Sequence, residues 1–123
     1  MITDRETSLR KLAVGDIFHG GCPDGGVLIC LVTSVTKTTI RARSVPTQKN
    51  YQFDRRTGIE EDKDASVACA IDSIEPLPVD IHNVILGLDR KFRLVRDVER
   101  LKLNDAEKQA LIFIDSYYSS YSL

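Results

Sequence analysis

VLICLVTSV, residues 27 to 35, is the stretch that decides the fold of this chain. It is rich in β-branched residues and lies between the glycine-rich GGCPDGG of residues 20–26 and the polar TKTT of residues 36–39. Side chains along a strand alternate between two faces, and both alternate sets are apolar over residues 27–32. The sequence therefore predicts a central strand that is covered on both sides.

Short strands and turns surround this central strand. Residues 17–19 predict a strand before the glycine loop, and TKTT predicts a hairpin turn into a strand over residues 40–45. A turn at PTQK leads to a strand over residues 50–55. Alternating apolar residues then predict a fifth strand over residues 67–72, before two prolines end the β pattern.

One strand register agrees with both predicted hairpins. The first hairpin is closed at Val35 and Ile40, and the second at Val45 and Asn50. A slip of one residue would scatter the apolar side chains, so this register is favoured. The face predicted to point into the β core carries these residues: Ile29, Leu31, Thr33, Val35, Ile40, Ala42, Tyr51 and Phe53.

Helices are predicted at both ends of the chain. A capping-box pattern from Thr3 to Glu6 predicts a short first helix over residues 4–12. Apolar residues recur at spacings of three and four over residues 81–95, and Asn104 is the predicted N-cap of a last helix. We expect the helical extension, residues 79–121, to cover the second face of the central strand: Leu28, Cys30 and Val32.

The order of these elements predicts an α+β chain that is mainly β. Five short strands after Val14-Gly15-Asp16, followed by helices, resemble an SH3-like small barrel over residues 14–76 with a C-terminal layer of two helices. The Gly-Asp entry also resembles that of KOW-type modules. The resemblance implies a barrel that binds nucleic acid on a strand face or at loop tips.

Composition and charge fit a single domain over residues 1–123. The net charge is −1, so no global field attracts nucleic acid, and any basic site must be local. No segment approaches the ~20 apolar residues needed to cross a bilayer, so no membrane contact is predicted. The three cysteines form no CxxC pair and the first residues do not resemble a signal peptide, which predicts a reduced, cytoplasmic chain.

Cations are in local excess between residues 37 and 56. Asp54 is the single acid of that segment, and Arg41 is predicted to lie opposite it. The basic residues, predicted as a nucleic-acid-binding face, are Lys37, Arg41, Arg43, Lys49, Arg55 and Arg56. The alternative is an ordinary solvated sheet face.

Aromatic residues cluster near the C-terminus. Phe113, Tyr117 and Tyr121 share a helical stripe, with Tyr118 beside them. These four residues predict a partner surface, either for another protein or for a homo-oligomer. The alternative is that they pack onto the β part with their hydroxyl groups at the water boundary.

His19 and Cys22 are close in sequence and raise the question of an activated thiol or a metal site. No third orienting group is identifiable, and His82 has no metal-ligand spacing to them. No catalytic residue, cofactor, metal or small-molecule ligand is therefore predicted. We expect a non-enzymatic binding or adaptor module, with nucleic acid or another protein as its partner.

Overall fold

The computed structural model of this chain describes residues 4–94 and 103–119. Its elements in chain order are α1 (Asp4–Leu9), β1 (Ile17–Gly21), β2 (Val27–Val35), β3 (Thr39–Ser44), β4 (Asn50–Asp54), β5 (Ala70–Ser73), α2 (Val79–Leu94) and α3 (Asp105–Ser119). All strand pairs are antiparallel, in the order β4-β3-β2-β1-β5. The sheet curls into a half-barrel, and the two long helices follow it. The predicted α+β class, mainly β, is confirmed.

The two edge strands are bridged by a short segment before β5. Ile59 forms a bridge with Ala70, and Glu60 forms one with Phe53. The backbone of Gly58 also accepts a hydrogen bond from Ile71 at 2.8 Å. Residues 58–61 therefore hold the edges of the curled sheet together at one end.

Glycines let β1 run further than the sequence predicted. The predicted strand ended at residue 19, but β1 continues through Gly20 and Gly21 opposite Leu28 and Val27. A Cβ atom on Gly20 would lie 2.9 Å from the backbone oxygen of Ala70. Only glycine lets β5 approach this closely, so the glycine loop begins after β1 instead of replacing its last residues.

A bulge in β2 reverses the predicted faces of the central strand. Val35 pairs with Ile40 as predicted, but the register shifts between Val32 and Ser34, and Val32 instead of Thr33 lies opposite Ala42. A bulge adds one residue to one strand, and because the side-chain period is two, every residue before it changes sides. The predicted inward direction of residues 29 and 31 was therefore wrong.

The second hairpin differs from its predicted register by two residues, which preserves the faces. Ala42 lies opposite Tyr51, and Ile40 lies opposite Phe53. Arg41 lies opposite Gln52, so its predicted pairing with Asp54 was wrong.

Each face of the central strand belongs to a different core. The half-barrel core contains Leu9, Leu12, Phe18, Leu28, Cys30, Val32, Ile40, Ala42, Phe53, Cys69 and Ile71. A second core between the sheet and the helices contains Ile17, Ile29, Val45, Leu77, Ile85, Leu88, Ala110, Ile114 and Tyr118. The helices do pack on the β part, but they cover Ile29 instead of the predicted Leu28, Cys30 and Val32.

The start of α3 is fixed by a reciprocal cap. The amide of Glu107 donates to Oδ1 of Asn104 at 2.8 Å, and the amide of Asn104 donates to Oε1 of Glu107 at 2.9 Å. The predicted N-cap role of Asn104 is confirmed. Lys91 of α2 also donates to Glu107 at 2.8 Å, which ties the two helices together. The predicted cap at Thr3 lies outside the described residues.

Cys22 and Cys69 form a disulfide, so the prediction of unpaired cysteines was wrong. Gly21 pairs with Ala70 in the β1–β5 ladder, and the two cysteines occupy the next opposed positions, with Cα atoms 4.1 Å apart. Cys30 is free and buried, and burial raises the pKa of its thiol to about 12. Among the described residues, no helix is both long enough and apolar enough to cross a membrane.

Candidate functional site

Arg43 of the predicted basic set is engaged between the sheet and α2. Its guanidinium donates to both carboxylate oxygens of Asp89, Nε to Oδ1 at 3.0 Å and Nη2 to Oδ2 at 2.7 Å. Asp89 is 2% exposed and also accepts from Gln48 at 2.9 Å. Burial by itself raises the pKa of Asp89, but the hydrogen bonds from Arg43 and Gln48 outweigh it and lower the pKa below the ordinary value. Arg43 is therefore a structural cation.

Arg55 is engaged by backbone carbonyl groups. Its guanidinium donates to the carbonyl oxygen of Thr36 at 2.5 Å and to that of Arg10 at 3.1 Å. These bonds join the tip of the β2–β3 hairpin to the segment that follows α1. Arg56 lies beside Arg55 with its Nε 3.7 Å from Asp54 and its side chain 70% exposed. Such a surface pair contributes little to stability.

The other three predicted cations divide between two regions. Lys37 lies at the tip of the β2–β3 hairpin, while Arg41 projects from β3 and Lys49 from the β3–β4 loop; all three are exposed. Within residues 4–94 and 103–119, the side chains of Lys37 and Arg41 form no ion pair or hydrogen bond. The structure therefore does not gather the six predicted residues into one basic face.

Tyr51 marks the place where cations and an aromatic side chain come together. The Nζ atom of Lys49 lies 5.4 Å from the centroid of the Tyr51 ring, in cation–π geometry. On its inner side the ring stacks against Phe53 of the half-barrel core, with centroids 6.1 Å apart. Tyr51 is half-buried. The sequence predicted an inward-pointing Tyr51; it does contact the core, but it does so at the mouth of the half-barrel.

Two adjoining cavities meet at Tyr51, and together we call them the Tyr51 groove. Their volumes are about 270 and 350 Å³, and they share Tyr51, Glu60 and Lys63. Arg41 lines only the larger cavity, and Lys49 lines only the smaller one. Uncharged polar residues line the larger cavity: Thr33, Asn50 and Gln52. The groove therefore combines an aromatic face, cations and neutral hydrogen-bonding groups.

Acidic residues also line the groove, and together we call them its acidic wall. The acids that line the two cavities are Asp24, Glu60, Glu61 and Asp62. Three of them accept hydrogen bonds: Glu60 from the amide of Cys69 at 3.1 Å, Glu61 from the hydroxyl of Thr39 at 3.0 Å, and Asp24 from the amide of Gly26 at 2.8 Å. Burial raises the pKa of the Tyr51 hydroxyl, and the charges of Glu60 and Asp24 add to this shift. The groove is thus lined by three cations, Arg41, Lys49 and Lys63, together with these four acids.

His19 and Cys22 have different partners in the structure. The Nδ1 atom of His19 contacts Oδ1 of Asp72, and the imidazole ring lies beside Tyr118, with centroids 5.2 Å apart. Cys22 is bonded to Cys69, so it has no thiolate for His19 to activate. Among the described residues, no cluster of three or more His, Cys, Asp and Glu side chains is arranged to hold a metal ion.

The predicted aromatic surface of α3 is divided between core and surface. Tyr118 is 1% exposed, and its hydroxyl donates to the carbonyl oxygen of Ile17 at 3.3 Å, so it packs in the second core. Tyr117 donates to the carbonyl oxygen of Pro76 at 2.6 Å. Phe113 is 39% exposed and stacks on Tyr117 with centroids 5.3 Å apart. Tyr121 lies outside the described residues.

Comparisons with models of known protein families, with curated protein sequences and with solved structures find no match to this chain.

Proposed function

We propose that this chain is a non-enzymatic binding module that holds single-stranded nucleic acid in the Tyr51 groove. The observation that carries the proposal is the half-buried Tyr51 ring in the groove, with the Lys49 ammonium 5.4 Å from its centroid and Arg41 lining the same groove. The base stacks on the ring face over which the Lys49 ammonium lies in the free chain, and Lys49 then turns with Arg41 toward the phosphates on either side of the base. The strand order β4-β3-β2-β1-β5 also supports an SH3-like barrel, an architecture in which strand faces and loop tips bind ligands.

The acidic wall determines how such a ligand lies in the groove. Glu60 and Glu61 repel phosphates, so the sugar–phosphate backbone follows the side of Arg41 and Lys49. The bases then point toward Tyr51 and the neutral donors and acceptors, Asn50 and Gln52. Three cations line the groove, Arg41, Lys49 and Lys63, so we expect a log–log salt slope of roughly −2 for a single strand.

Fluorescence anisotropy with labelled single-stranded RNA and DNA tests the proposal at low and high salt. Replacing Tyr51 by Leu removes a stacked base worth about 1–3 kcal/mol and weakens binding, whereas Tyr51→Phe keeps most of it. Arg41→Gln and Lys49→Gln each reduce the salt slope. Arg56→Gln is the matched control, because Arg56 is 70% exposed and lies outside the groove. If no strand binds at low salt, or Arg56→Gln weakens binding as much as Arg41→Gln, the proposal fails.

Association of two copies through α3 is a second candidate function. Ile112 is 63% exposed and Phe113 is 39% exposed, both on the side of α3 that faces away from the second core. Light scattering after gel filtration measures the mass. An Ile112→Ser/Phe113→Ser variant is expected to stay monomeric at concentrations where the wild type associates, and Lys37→Gln, exposed at the tip of the β2–β3 hairpin, serves as the control. A wild type that is monomeric at high concentration rules this candidate out.

A further inference from the structure

The Cys22–Cys69 disulfide is part of the wall of the Tyr51 groove. Both cysteines line the smaller cavity, together with Pro23, Lys63 and Val67. Cys22 begins the β1–β2 turn, and Cys69 ends the loop that leads into β5. The disulfide therefore joins the two loops that form one side of this cavity.

Hydrogen bonds hold each of these loops but do not join them to each other. Three organise the β1–β2 turn, and all of them lie within it: Cys22 amide to Gly26 oxygen, Gly25 amide to Cys22 oxygen, and Gly26 amide to Asp24. In the other loop, the amides of Val67 and Ala68 both donate to the carbonyl oxygen of Asp64, and two bonds, at 2.8 and 3.1 Å, tie Cys69 to Glu60. Among the described residues, no hydrogen bond or ion pair other than the β1–β5 ladder links the turn to this loop. The disulfide is the cross-link between them.

We propose that this disulfide is a redox-sensitive cross-link that controls the shape of the Tyr51 groove. In the oxidised chain it holds the β1–β2 turn against residues 63–69. In the reduced chain the two loops separate, and the wall opposite Lys49 and Tyr51 becomes mobile. The effect on ligand binding rests on the function proposed above; the opening of the loops does not.

Exposure determines which sulfur a reductant attacks. Cys22 is half-buried at the surface of the cavity, whereas Cys69 is 6% exposed. A thiolate of a dithiol reductant attacks Sγ of Cys22, the disulfide breaks, and Cys69 leaves as a thiolate that takes up a proton. The second thiolate of the reductant then attacks the mixed disulfide and releases Cys22. The chain gains two electrons, and the dithiol becomes a disulfide.

The thiol of Cys30 does not exchange with this disulfide at neutral pH. It belongs to the same core as Cys69, but it is fully buried. Burial raises the pKa of its thiol to about 12, so at neutral pH it lacks the thiolate that disulfide exchange requires. The Cys22–Cys69 pair therefore opens and closes without being rearranged to a Cys30 partner.

Hydrogen exchange of the oxidised and the dithiol-reduced full-length chain tests the opening directly. Reduction is expected to raise exchange most in residues 22–26 and 63–69, while the β2–β3 hairpin stays protected and its exchange rises only as far as the lower global stability requires. Cys30→Ala is the control and is expected to behave like the wild type. Equal exchange of both loops in the two states, or a mixed population of disulfides that include Cys30, overturns the proposal. Global unfolding on reduction, seen as exchange throughout β2 and β3, also overturns it.

The anisotropy measurement, repeated on both redox states, separates this proposal from the function. Reduction is expected to weaken strand binding by about fivefold or more, and by linkage the strand shifts the reduction potential of the disulfide by the same factor, about 20 mV more negative. If the loops open but neither redox state binds single-stranded nucleic acid, the proposed binding function is wrong and the proposed opening of the loops stands. If the strand binds equally to both states while the loops open, control of the groove is overturned.

Discussion

Arg43 on β3 and Asp89 on α2 form a two-point ion pair across the interface between the sheet and the helices, with N–O distances of 3.0 and 2.7 Å. Gln48 of the β3–β4 loop donates to the same carboxylate at 2.9 Å, and Arg93 lies 3.4 Å from it. One buried carboxylate thus connects a strand, a loop and a helix. Its removal leaves a cation without its partner in a mostly apolar interface.

Replacing Asp89 by Asn is expected to lower the free energy of unfolding by about 3 kcal/mol, because the Arg43 charge loses its counter-ion while remaining partly buried. Urea denaturation followed by circular dichroism measures the change. Asp115→Asn is the matched control: this acid is exposed on α3, and its loss is expected to cost less than about 0.5 kcal/mol. Equal effects of the two substitutions would contradict a structural role for Asp89.

The contribution of Asp89 is expected to depend on pH in a defined direction. The pKa of Asp89 is lowered from 3.8 in the folded chain, so its stabilisation is present above that value and is lost as the pH falls through the lower folded value. The difference in unfolding free energy between the wild type and Asp89→Asn should therefore be constant near neutral pH and shrink in acid below 3.8. A difference that persists unchanged in strong acid would mean that the ion pair is not its source.

Replacing both Cys22 and Cys69 by Ser is expected to destabilise the fold. The disulfide joins residues 47 positions apart, and closing a loop of that size restricts the unfolded chain by about 4 kcal/mol in the chain-entropy model. Thermal unfolding of the double variant, compared with the oxidised and the dithiol-reduced wild type, measures this contribution. The variant and the reduced wild type should have the same midpoint; a midpoint like that of the oxidised chain would show that the disulfide does not constrain the fold.

Two glycines are expected to respond in opposite ways to replacement by alanine. At Gly20 the new methyl group would lie 2.9 Å from the backbone oxygen of Ala70, so Gly20→Ala should force β1 and β5 apart and cost about 1–3 kcal/mol. At Gly87, within α2, no atom other than those of its chain neighbours and the backbone of its own helix lies within 4 Å of the added Cβ. Gly87→Ala should therefore stabilise the helix by up to about 1 kcal/mol. Chemical denaturation of both variants gives the comparison, and a stable Gly20→Ala variant would contradict the close approach of β5.

Local sequence patterns predicted the strands and helices well because strand alternation, turns and helix caps depend on residues that are close in sequence. Alternating apolar residues, glycine and proline punctuation, and the Asn104 cap predicted the five strands and two long helices. The bulge was not predictable, because Thr33 and Ser34 are both small and polar and the strand before them is apolar on both faces. Either register satisfied the pattern, so the hydrophobic signal that usually determines register gave no preference.

The roles of the predicted site residues depend on contacts between residues that are far apart in sequence. Arg43 and its partner Asp89 are 46 residues apart, and nothing near Arg43 indicates that its charge is used in folding. One signal was available: Asp89 lies four residues after the buried Ile85, on the apolar stripe of α2. An acid at such a position needs a buried cation. The pairing of β1 with β5, which brings the two cysteines together, had no comparable signal.

The bulge between Val32 and Ser34 has a consequence for how this chain tolerates change in length. Deleting Thr33 would remove one exposed polar residue and no apolar one. Val32 already pairs with Ala42 and Ser34 with Arg41, so the deletion would remove the bulge, keep these pairings, and leave Leu28 and Ile29 in their present cores. Position 33 is therefore a place in β2 where the loss of one residue preserves both hydrophobic layers, whereas an inserted residue would require a larger bulge or would turn the preceding segment over.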